Sequence, residues 1–276
     1  MKLFSCIPLR VHCWGGLGSQ LYALATAYDL KLKYPKRRIK LVLHTGGVTK
    51  RVSELDFIPN IDFRIIQVND YRMEDKEYGN QVKSNEVKLK RFLIRFLYYF
   101  NFIVSANSNL EFNKVRPWTV STRGHYFNRT VSTSFYSYLL EYVKSEEKQP
   151  NRSQFEIAIH YRMGDLLTLT NKSILPADKI IAAVKQAKKS HNDLKIYVYS
   201  DSPKIAKETL FNAGLTDEFE VSNRSTIDVI RECVHANYFI GTGSKVSLWI
   251  VNIRRYMGEI DSNYLEGFDG KLFNQR

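Results

Sequence analysis

The amino-acid sequence predicts an α/β protein of two parallel-sheet units. A strand, Gly-rich turn, helix, strand order opens the chain, strands and helices alternate through its second half, and a polar break lies between them.

Within the first unit, Leu3–Val11 reads as a strand and Gly15, Gly16 and Gly18 punctuate the loop after it. Leu21, Leu24, Ala25, Tyr28 and Leu32 then recur at helical spacing, which predicts a helix capped near Ser19 and stopped before Pro35. Ile39–His44 is β-rich and is followed by Gly46 and Gly47, completing a βαβ crossover; Phe63–Val68 predicts a further strand. The stretch KSEEKQPNRS at 144–153 has no apolar period and contains Pro150, so the chain divides into residues 1–150 and 151–276.

The second unit is the more regular. Ile157–Tyr161, Leu194–Tyr199 and Tyr238–Gly241 read as strands. Pro176–Lys189 reads as a helix with Ile180, Ile181, Val184 and Ala187 on one face, and Thr226–Asn237 as another carrying Ile227, Ile230 and Val234. Val246, Trp249, Ile250 and Ile253 form the stripe of a last helix.

Composition narrows the function classes. With 276 residues, 44% hydrophobic and 25% charged, the chain is globular in type, which excludes a disordered or collagen-like protein. Three cysteines, Cys6, Cys13 and Cys233, form no C-x-x-C pair, so neither a disulfide framework nor a structural zinc site is expected. The N-terminal apolar run is broken by Pro8, Arg10 and His12, and no uncharged stretch reaches the ~20 residues that span a bilayer. A cytoplasmic location is the expectation.

The formal charge of +13 is concentrated at one end. Residues 1–150 hold 24 basic and 13 acidic side chains, against 17 and 15 in 151–276. Such a balance favours anionic partners: nucleic acid, an acidic membrane face or a phosphorylated ligand. Lys83–Phe100 joins Lys83, Lys88, Lys90, Arg91 and Arg95 to an aromatic run, which suits either an anionic membrane surface or a core helix with a solvated basic edge. A nucleic-acid-binding module is the rival class. The pI of about 9.5 permits it, but no recognisable motif accompanies it.

Four segments could carry chemistry. Gly15, Gly16, Gly18 and Gln20 lie in a strand-to-helix turn where backbone can approach a ligand or simply make a tight connection. His160-Tyr161-Arg162-Met163-Gly164-Asp165 follows a strand, and the two-residue period sends His160 and Arg162 to one side at its carboxyl end. A guanidinium there offers a fixed fork of donors to phosphate oxygens, with Asp165 able to orient it or to pair with it at the surface. Asp201, closing the next strand, could accept bonds from a base or a sugar, or serve as a helix N-cap. Ser244, Lys245 and Ser247 open the last helix, as a diphosphate cradle or as capping residues.

Taken in order, GGLGSQ at 15–20, HYRMGD at 160–165, YSDS at 199–202 and GSKVSLW at 243–249 resemble the motifs of the α-1,2-fucosyltransferase family. That resemblance implies a GT-B architecture, two Rossmann-like domains facing across a cleft, with the acceptor on the first and a nucleotide sugar on the second. It implies that Arg162 holds the donor β-phosphate with His160 near the nucleotide, that Asp201 contacts guanine, and that Ser244 or Ser247 contacts diphosphate. Lys245 could add positive charge, and the turn at Gly15–Gln20 would line the cleft. It further implies inverting transfer, most simply of L-fucose from GDP-fucose, without a metal or other cofactor; another nucleotide sugar is the alternative. Arg162 and Asp165 are the candidate catalytic residues, Asp165 orienting or deprotonating the acceptor hydroxyl, a role that a Glu or Asp of the first half could serve equally well. Departures stand at Ser19, Met163, Ser202, Lys245 and Leu248. The basic first half fits a glycan acceptor, such as a lipid-linked oligosaccharide, at the inner membrane face.

Overall fold

A computed structural model describes residues 7–45, 51–58, 63–68, 88–143, 155–167, 174–189, 194–259 and 261–265. The chain divides into two compact units, Met1–Phe135 and Tyr136–Arg276. The polar stretch at 144–153 lies outside the described residues, as do Gly46 and Gly47.

The N-terminal unit is built on a parallel sheet of order β3-β2-β1-β5-β4: β1 (Leu9–Trp14), β2 (Ile39–His44), β3 (Arg64–Val68), β4 (Ile103–Ser105) and β5 (Ser121–Arg123). Of the expected Leu3–Val11 strand, residues 3–6 lie outside the described residues, Ile7 and Pro8 are not in strand, and Leu9–Val11 belong to β1, which runs on to Trp14. Pairing of Leu9 with Ile39 through Trp14 with His44 sets its register, so β1 continues through His12 and Cys13. Helix α1 (Leu17–Lys33) starts before Ser19, with Gly16 as N-cap. Leu17 to Ala27 are almost entirely buried, so the helix is enclosed on all sides early on, whereas Leu32 at its far end is 55% exposed. Helices α2 (Lys88–Tyr99), α3 (Asn109–Phe112) and α4 (Thr133–Val143) follow, the last carrying the chain into the second unit.

The C-terminal unit has order β10-β9-β6-β7-β8, again wholly parallel: β6 (Phe155–His160), β7 (Leu194–Tyr199), β8 (Phe219–Ser222), β9 (Tyr238–Thr242) and β10 (Ser262–Leu265). Helices α5 (Ala177–Lys188), α6 (Pro203–Asn212), α7 (Thr226–His235) and α8 (Lys245–Tyr256) intervene. Ile180, Ile181, Val184 and Ala187 enter the core together with Ile157, Ile159, Ile196 and Val198, as the helical and strand periods require. Strand order reverses beside the first strand, β6, and in open parallel sheets such a reversal is where ligands bind, beyond the carboxyl ends of the strands, here β6 and β9. Among the described residues, no helix is long and apolar enough to cross a membrane.

Candidate active site

Burial alternates from Ile159 to Gly164: Ile159, Tyr161 and Met163 are buried, while His160, Arg162 and Gly164 are only partly so. The extended period therefore persists past the end of β6, and Tyr161 N–H still donates to Tyr199 O at 2.9 Å. His160 and Arg162 share one side, at the carboxyl edge of the sheet. Met163 packs into the core on the other.

The backbone here is pinned independently of its side chains. Thr242, ending β9, donates its Oγ1 hydrogen to His160 O (2.9 Å) and accepts from Arg162 N–H (3.1 Å). From the loop after β7, Asp201 Oδ1 accepts from Met163 N–H (2.9 Å) and Gly164 N–H (2.8 Å). Asp201 thus holds the loop after β6. Ser202, not Asp201, is the N-cap of α6. A Cβ added at Gly164 would overlap the Asp201 carboxylate, which is why the turn needs glycine. Asp165 follows in the 3-10 turn Gly164–Leu167, its side chain outside the described set.

Across the switch point, α8 presents its first turn. Ser244 is the N-cap, and its Oγ accepts from Ser247 N–H at 3.0 Å. Ser247 Oγ lies 2.7 Å and Ser244 Oγ 3.4 Å from His160 Nδ1, and the two hydroxyls are 3.2 Å apart. Lys245 is the first helical residue. The structure therefore brings His160, Arg162, Asp201, Ser244 and Ser247 to one sheet edge. Thr242 was missed by sequence reading, because a threonine at a strand end has no signal of its own.

Burial holds the His160 imidazole down to a pKa of about 4, Asp201 pulling it up and Arg162 pushing it further down. The ring is neutral at physiological pH and serves as a hydrogen-bonding group. Because the unfolded ring titrates near ~6.5, the unfolded chain binds a proton that the native ring refuses. Stability is full above that pH and falls as pH drops toward 4, by about 3 kcal/mol from this group. Urea unfolding at neutral pH and in the acid window should show a slope that His160→Gln flattens. An unaltered slope would mean an ordinary imidazole.

In the N-terminal unit the turn after β1 is organised differently. Gly15 has φ +97°, open to glycine at little cost. Gln20 is buried; its amide donates to Gly15 O (3.1 Å) and Val52 O (2.9 Å), and its Oε1 accepts from Glu54 N–H (2.9 Å). Glu54 Oε1 in turn accepts from Leu17 N–H at 3.1 Å, placing a carboxylate from the chain itself at the α1 N-terminus. Gly18 is buried within the first turn of α1. His12 Nδ1 lies 2.8 Å from His44 Nε2, and Trp14 stacks on His44 with ring centroids 4.6 Å apart.

No protein-family model matches the sequence, and no curated protein matches it. Among solved structures, the chain is similar to the α-1,6-fucosyltransferase NodZ soaked with GDP-fucose, at 12% identity over 90% of this chain and 91% of that one, with a TM-score of 0.41. It is similar to the E. coli heptosyltransferase WaaC with ADP at 12% identity, 94% and 93% coverage and a TM-score of 0.44. Similarity to S. aureus MnaA with UDP is 9% identity, 89% and 77% coverage and a TM-score of 0.47.

Proposed function

We propose that the chain is a GT-B glycosyltransferase that binds a nucleoside-diphosphate sugar at the carboxyl edge of β6 and β9. The observation that carries this reading is the meeting of His160, Arg162, Ser244 and Ser247 at the strand-order reversal of the C-terminal sheet, with His160 Nδ1 2.7 Å from Ser247 Oγ. The hydroxyls, a neutral imidazole and a guanidinium supply neutral and charged donors for a diphosphate.

The resemblance of the four motifs to α-1,2-fucosyltransferases supports GDP-fucose as donor. In the proposed step an acceptor hydroxyl oxygen bonds to the anomeric carbon as the bond from that carbon to the diphosphate oxygen breaks, with inversion. Arg162 stabilises the charge gathering on the departing diphosphate, and the acceptor proton passes to a carboxylate, for which Asp165 is the candidate.

A thermal-shift series with GDP, UDP, ADP and CMP tests the donor class, because a ligand selective for the native state raises the melting temperature. Selective stabilisation by GDP is the expected result. Stabilisation by UDP alone would replace the donor, and no response to any of the four would count against a nucleotide site.

A further inference from the structure

We infer that the outward face of helix α2 is a docking surface for an anionic lipid bilayer. The helix sequence, KLKRFLIRFLYY, continues into Phe100. Phe92 is 67% exposed, Leu93 54%, Phe96 43%, Tyr99 81% and Phe100 47%. At ~100° per residue these five span an arc of about 120°, while the half-buried Ile94, Leu97 and Tyr98 occupy the opposite side. Large apolar side chains thus cover both faces, and among the described residues only one of them has protein against it.

The exposed face is organised. Phe96 and Phe100 have ring centroids 4.5 Å apart, and Tyr99 and Phe100 5.0 Å. Trp118, itself 39% exposed, donates its indole N–H to Phe100 O at 2.9 Å, adding the ring type that favours the boundary between hydrocarbon and headgroups.

Charge chooses the occupant. Arg95, exposed, falls on one border of the apolar arc, Lys88, Lys90 and Arg91 precede it in the sequence, and no acidic residue occurs from 87 to 110. A bilayer bearing anionic headgroups meets both features at once: rings enter the acyl boundary while the basic border stays among phosphates. A nucleic-acid duplex would leave the rings in water, and a second copy would set like charges against each other. At 12 residues, about 18 Å, the helix is too short to span and would lie in the membrane plane.

Sedimentation with phosphatidylcholine vesicles, with and without phosphatidylglycerol, is the test. The expected result is co-sedimentation with the anionic vesicles, weakened by salt, and a blue shift of Trp118 emission that Trp118→Phe removes. Arg91→Glu with Arg95→Glu should weaken binding by about tenfold or more. Phe92→Ser with Tyr99→Ser should do the same while the melting temperature and the GDP response stay as in the parent chain, since both side chains face solvent. Equal binding to neutral vesicles, no binding to either, or full binding by both double variants would overturn the inference. So would a dimer in gel filtration that the same substitutions dissolve without any vesicle binding.

Discussion

Replacing Arg162 with alanine is expected to lower donor turnover by about 10²–10³-fold, the range for removing one preorganised donor from a developing negative charge. The readout needs no known acceptor: release of GDP from GDP-fucose, with water taking the sugar, exposes the same leaving-group step. The loop should stay in place. Arg162 N–H is held by Thr242 Oγ1, and the next two amides by Asp201 Oδ1, none of which involves the guanidinium. Arg162→Lys keeps the charge but loses the planar fork, and should fall between the two. GDP release from Arg162→Ala at the parent rate, with an unchanged melting temperature, would remove Arg162 from the proposed chemistry.

Arg254→Leu is expected to destabilise the C-terminal unit by about 4 kcal/mol or more, by stranding buried carbonyls that each cost roughly 1–3 kcal/mol when left unmet. Arg254 is completely buried in α8. Its Nη1 donates to Val234 O (3.0 Å), Cys233 O (3.3 Å) and Ala236 O; its Nη2 to Asn237 O (3.2 Å) and Asp261 O (3.1 Å); its Nε to Ser262 Oγ (2.7 Å). Cys233 and Val234 lie in the last turn of α7, whose carbonyls have no partners within the helix, and a cation there also meets the negative end of the dipole. The same guanidinium ties down the start of β10. At ~2–4 °C per kcal/mol for a unit of this size, the melting temperature should drop by about 10 °C or more. Lysine should recover only part of it, having three donors and no fork. A melting temperature within a degree or two of the parent, for the leucine variant, would mean that the carbonyls find other partners.

Much of the sheet framework was legible because the apolar period is a local property. Ile39–His44 and Leu194–Tyr199 match their strands residue for residue, the stripe of α5 is buried, and so are Trp249, Ile250 and Ile253 of α8, with Val246 only partly so. Strands of three or four residues, β4, β5, β8 and β10, show too little alternation to be seen, and they exist because a neighbouring strand leaves an edge to pair with. β1 runs past the expected end at Val11 to Trp14, because its pairing with β2 continues through Trp14 and His44.

The candidate site shows the same division more sharply. His160, Arg162 and the serines of α8 could be named from spacing, since a strand end followed by glycine and a helix start capped by serine are local signals. That Asp201 holds the loop after β6, that Glu54 supplies the carboxylate at the α1 N-terminus, and that Arg254 serves a helix end rather than a ligand could not. The chain alone determined which segments would be strands and helices and which polar groups would stand at their ends. Only the folded arrangement decided what those groups bond to, because a hydrogen bond acts over about 3 Å and its partner sits tens of residues away.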